Sequence, residues 1–142
     1  MKKLFFHFKY SLACAIAYCI PAFFLFESGK YSNAWLLYLG NFCFAIILIT
    51  GNVLLNNRKP ELQTLRPMIT TALKIELKGI VITCVLLLAL VFIFHAGNIL
   101  KHEPANVLGL YIMLPLNAVI INLAVGGICI FFWVISAKKK EA

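Results

Sequence analysis

The chain has 142 residues, 63% of them apolar and 13% charged, with a mean hydropathy of +0.95. A soluble domain carries about 45–50% apolar and about 25% charged residues, so this composition excludes a water-soluble globule and leaves no length for a separate soluble catalytic domain. The net charge of +8 comes from eleven Lys and two Arg against five Glu and no Asp; these basic residues gather at the ends of apolar runs, where they read as topology signals and headgroup contacts rather than as a nucleic-acid surface.

The first apolar run covers residues 10–26, between Lys9 and Glu27. At about 1.5 Å per residue it barely crosses a hydrocarbon core of about 30 Å, and Lys9 is expected to snorkel to the headgroups. Lys2 and Lys3 precede it as in a signal peptide, but cleavage after Ala13, Ala15 or Ala17 would strand the apolar stretch 18–26 at the new terminus, so the run is expected to remain as a helix. Pro21 predicts a kink.

The second run, 34–55, is entered through the polar residues 27–33. Tyr31, Trp35 and Tyr38 supply an aromatic belt at that interface. The run leaves the membrane at Asn56, Asn57, Arg58, Lys59 and Pro60.

The third helix is expected to start before the membrane, because Thr64 can cap it and Pro67 suits its first turn. It then continues through Lys78 into the apolar span 79–97. A short loop over 101–106 leads to the fourth span, 107–137, which is long for a single crossing and contains Pro115, so tilt or a kink is expected. The pattern predicts an all-α polytopic membrane protein, one domain over 1–142 built as an up-down bundle of four transmembrane helices. Its cytoplasmic loop, 56–78, ends in a helical extension of the third span.

Orientation follows from the basic residues. The amino terminus (Lys2, Lys3, Lys9), the 56–78 loop and the carboxyl terminus (Lys138, Lys139, Lys140) hold eleven, against Lys30 and Lys101 on the other side. This asymmetry puts both termini in the cytoplasm. Lysine-rich, arginine-poor usage points to a bacterial inner membrane.

No sequence motif carries catalysis. There is no phosphate-binding loop, no H-E-x-x-H and no G-x-S-x-G, and His7, His95 and His102 fall apart from one another. Cys14, Cys19, Cys43, Cys84 and Cys129 all lie in apolar runs without C-x-x-C spacing, where cysteine acts as a small hydrophobe. Neither a catalytic residue nor a metal ligand nor a cofactor is expected.

What recurs instead is small and polar residues on single helix faces. Successive residues turn by about 100°, so Asn41, Ala45, Leu48 and Asn52 form one stripe on the second helix. Pro115, Ala118, Asn122, Gly126 and Cys129 form another on the fourth. Small residues let backbones approach, and amides bond across helices at about 0.6–2 kcal/mol each. The alternative is that Asn41, Asn52, Asn117 and Asn122 line a polar path.

On the third helix Thr70, Thr71, Lys74 and Lys78 share one arc, expected to face water. Glu76 falls on the apolar side, about 20° from Ile69 around the axis. A carboxylate there is costly unless it is paired or protonated; Arg66, Arg58, Lys59 and Lys9 are the candidate partners. Lys74, Lys78, Lys138, Lys139 and Lys140 are expected to contact lipid headgroups.

These features predict a non-enzymatic accessory, assembly or regulatory subunit that works through helix packing. Its partners are the lipid bilayer and another membrane protein or a second copy of itself, with no role for nucleic acid. The alternative is a protomer of an oligomeric small-solute transporter or channel.

Overall fold

The computed structural model describes four helices, α1 (Lys2–Ser28), α2 (Trp35–Arg58), α3 (Leu65–Ala96) and α4 (Val107–Lys138), which together are the described residues. Among them there is no strand. Each helix contains a stretch long and apolar enough to cross a membrane, over His7–Glu27, Trp35–Leu55, Arg66–Phe94 and Ile112–Ile135. These fit a multi-pass membrane protein, since in hydrocarbon every backbone N–H and C=O must be satisfied within the segment and a helix does this alone.

Two boundaries differ from the sequence reading. α1 begins at Lys2, well ahead of the apolar run. On α3 the apolar stretch begins at Arg66 rather than Gly79. The early turns of α3 are covered by other helices. Ser11 of α1 is fully buried, and its hydroxyl lies 2.9 Å from the His7 carbonyl and 3.0 Å from the Ile75 carbonyl, sharing one hydrogen between two acceptors. Ala72 packs with Ile130 and Val134 of α4.

α1 packs on both α2 and α3, and α4 lies chiefly against α3 and less against α2; α1 and α4 scarcely touch among the described residues. The main core gathers Cys14, Tyr18, Phe44, Leu48, Ile75 and Leu87. At its far end the Phe94 ring stacks on Phe26 at 5.7 Å and meets Phe23 edge-on at 5.4 Å. Large apolar side chains on every helix face outward, among them Phe24, Phe42, Val81 and Phe131. In water this would be a fault; in lipid it is the expected solvent-facing surface.

Lipid is as apolar as leucine, so helices associate through close packing and polar contacts rather than hydrophobic burial. Gly79 marks a junction of three helices. A Cβ added there would stand 3.0 Å from the Phe44 ring and 3.5 Å from the Cys14 Cβ, so α1, α2 and α3 converge on a backbone without a side chain. A Cβ at Gly51 would meet the Tyr10 ring at 2.7 Å. Gly127, by contrast, has nothing within 4 Å of that position.

Candidate functional site

The seam between α3 and α4 holds the chain's most unusual chemistry. Glu76 is 1% exposed, and neither carboxylate oxygen has a hydrogen-bond partner among the described residues. Its helix turns it inward because Ala72 and Ile75, on the same side, are buried as well. Across the seam stands Gly126, whose missing side chain makes the room: an added Cβ would collide with the Glu76 carboxylate, reaching its Cδ at 2.7 Å. Cys129, one turn further along α4, lies within electrostatic range of the same carboxylate.

The expected ion pair is not formed among the described residues. Arg66 is exposed and lies ten residues earlier on α3, about 15 Å away along the axis. Lys74 is exposed and Lys78 half-buried; each is two residues from Glu76, and side chains at that spacing do not face each other on a helix. Lys9 of α1 is exposed. Lys59 and the Arg58 side chain lie outside the described residues, as do Lys139, Lys140 and the Lys138 side chain.

The asparagines divide into different situations. Asn41, 3% exposed, donates from Nδ2 to the Asn117 Oδ1 at 3.5 Å, a long contact between α2 and α4, while its own Oδ1 has no partner among the described residues. Asn52 is 3% exposed beside Gly51 on α2. Asn122, one turn before Gly126 on α4, is 1% exposed, and neither its Nδ2 nor its Oδ1 is bonded among the described residues. The stripe containing Asn122 and Gly126 is readable on a helical wheel; that Glu76 is what faces it is not.

Of the other buried polar groups, the Tyr18 hydroxyl has no hydrogen-bond partner among the described residues, whereas others are bonded. Thr83, fully buried, donates to the Gly79 carbonyl at 2.8 Å, so its hydroxyl is spent on its own helix. The Cys84 thiol lies 3.9 Å from the Pro115 carbonyl across the α3–α4 seam. All five cysteines are free thiols; Cys14 is buried and the others half-buried. No group of three or more His, Cys, Asp or Glu among the described residues could hold a metal ion.

The thiols give a direct check on water access. A membrane-impermeant maleimide applied to the protein in bilayers is expected to leave all five unlabelled. Fast reaction at Cys129 would reveal water running along α4 beside Glu76. Compared with protein families, with characterised proteins and with solved structures, the chain finds no match.

Proposed function

We propose that the chain is a multi-pass protein of the cell membrane, in a bacterium the inner membrane, and that it serves as a non-enzymatic accessory, assembly or regulatory subunit through helix packing. In this reading the four helices alternate in direction, both termini are cytoplasmic, and α3 reaches beyond the bilayer on that side. Contacts along the helices support the alternation. On α1 and α3 the pairs Ser11 with Ile75 and Phe26 with Phe94 advance together, whereas on α1 and α2 the pairs Tyr18 with Gly40 and Tyr10 with Gly51 advance in opposite senses. The excess of Lys and Arg at the termini and in the 56–78 loop supports the orientation.

One observation carries the functional reading: buried polar side chains such as Ser11, Asn41 and Thr83 meet helix backbones or one another, while apolar side chains cover the outside of every helix. That is the chemistry of a body that holds helices in register and offers a lipid-compatible surface to others. A transporter or channel protomer is the second reading, and Glu76 and Asn122, both without hydrogen-bond partners among the described residues, favour it, because ionisable groups inside a membrane mark ion and solute pathways.

Reconstitution separates the two. Liposomes containing this chain alone are expected to pass small ions and solutes no faster than protein-free liposomes, and the chain in mild detergent is expected to run as a single copy. Flux above the protein-free level, or a stable homo-oligomer, would replace the accessory reading with the transport one.

A further inference from the structure

We propose that Glu76 is a proton-binding site built into the α3–α4 seam: its carboxyl group carries a proton while the helices are packed as here and releases it when the seam parts. The inference stands apart from the accessory and transport readings and is compatible with both. A carboxylate removed from water needs a counter-ion or several donors, and Glu76, 1% exposed, has neither among the described residues.

The surrounding groups leave few other ways to neutralise it. From α1, Ser11 spends its hydrogen on the His7 and Ile75 carbonyls, His7 lies one turn before it, and Lys9 is exposed. From α4 come Cys129, whose thiol is a weak donor, and Asn122. α2 contributes Asn52, which is buried, and on α3 itself Lys74 and Lys78 sit on other faces. A metal ion would need a shell of several oxygens, and the described residues offer no third carboxylate, imidazole or thiolate to complete one. A proton needs no further ligand.

Asn122 is the independent observation that makes this a site rather than a buried accident. Both its polar atoms are unbonded at 1% exposure, one turn from Gly126 in the same seam. Two unsatisfied groups on facing helices mean that the packed arrangement leaves hydration unrealised, and an opened seam would recover it for both. Proton release and seam opening then favour one another, since a charged carboxylate binds water in the open state and has no partner among the described residues in the closed one. The site lies about three turns from the start of α3, on the side of Arg66 and Lys74, which sets the short way out for the proton.

The full chain in liposomes, treated at neutral pH with dicyclohexylcarbodiimide, tests this, because the reagent partitions into lipid and couples only to protonated carboxyl groups. Peptide mass spectrometry is expected to find the adduct on Glu76 and not on the exposed Glu27. Adduct on both alike would overturn the proposal. Infrared spectra supply a readout that needs no reagent access: the wild-type minus Glu76→Gln difference at neutral pH is expected to show a protonated carboxylic acid C=O band, and a carboxylate band in its place would overturn the proposal. The coupling has its own arm. Gly126→Leu fills the space in which the carboxyl group rests, so the protonated band is expected to be lost at neutral pH and to return on acidification. A band unchanged by Gly126→Leu would overturn the link between the proton and the seam. Should Glu76→Gln fail to fold, the mass-spectrometric comparison of Glu76 with Glu27 in the wild-type chain decides alone.

Discussion

Gly79→Leu is expected to lower the stability of the bundle by about 2 kcal/mol. Overpacking a closed site costs typically 1–3 kcal/mol, and this site is closed from two directions, by the Phe44 ring at 3.0 Å and the Cys14 Cβ at 3.5 Å from a Cβ placed there. Phe44 is 1% exposed and Cys14 fully buried, so neither has free space to retreat into. The gain in helix propensity on replacing glycine, at most about 1 kcal/mol, offsets only part of this. Gly127→Leu is the matched control. It brings the same propensity gain with nothing within 4 Å of its Cβ, so its stability is expected to equal or exceed that of the wild type. Thermal unfolding of the purified protein in one detergent measures both. Equal midpoints for the two variants would mean that α1, α2 and α3 do not converge at Gly79.

Asn122→Leu is expected to do the opposite and raise stability by about 1 kcal/mol. From the helical wheel alone, removing an amide from the α4 stripe should weaken the bundle. The structure reverses the sign. A buried amide with neither atom bonded costs about 1–3 kcal/mol; leucine keeps the branch at Cγ and removes both polar atoms, at some expense for its greater volume. Asn41→Leu breaks the 3.5 Å contact to Asn117 and is expected to lower stability by about 0.6 kcal/mol, the average for interhelical bonds in membranes. The same unfolding assay compares them. If Asn122→Leu proves destabilising, its amide has a partner that matters and the seam is better satisfied than described. If it stabilises the protein while impairing its role in cells, Asn122 is there for function at the expense of stability.

Some of this was legible in the residues and some was not. The wheel of α3 put Glu76 on the apolar side, near Ile69, and the α4 stripe put Asn122, Gly126 and Cys129 on one face. Both are local properties, set by the helical repeat. Which face meets which is a different question, because α4 is apolar nearly all round and lipid competes equally for any apolar face. No pattern along such a helix points inward, so only small and polar residues hint at contacts, and a hint does not name its partner. The first turns of α1 were missed for a related reason. Residues 2–9 carry three lysines among their apolar neighbours, which hydropathy reads as a flank, although the helix continues through them.

The sequence by itself determined that the chain forms four helices long and apolar enough to cross a membrane, because hydrocarbon demands an uninterrupted apolar length with every backbone group bonded inside it. Only the tertiary structure decided that the Asn41 amide meets Asn117, that Ser11 reaches the Ile75 carbonyl, and that Glu76 faces Gly126 with no hydrogen-bond partner among the described residues. Those outcomes depend on how closely backbones approach and in what register, and both are set by glycines and short polar side chains acting between helices far apart in the chain.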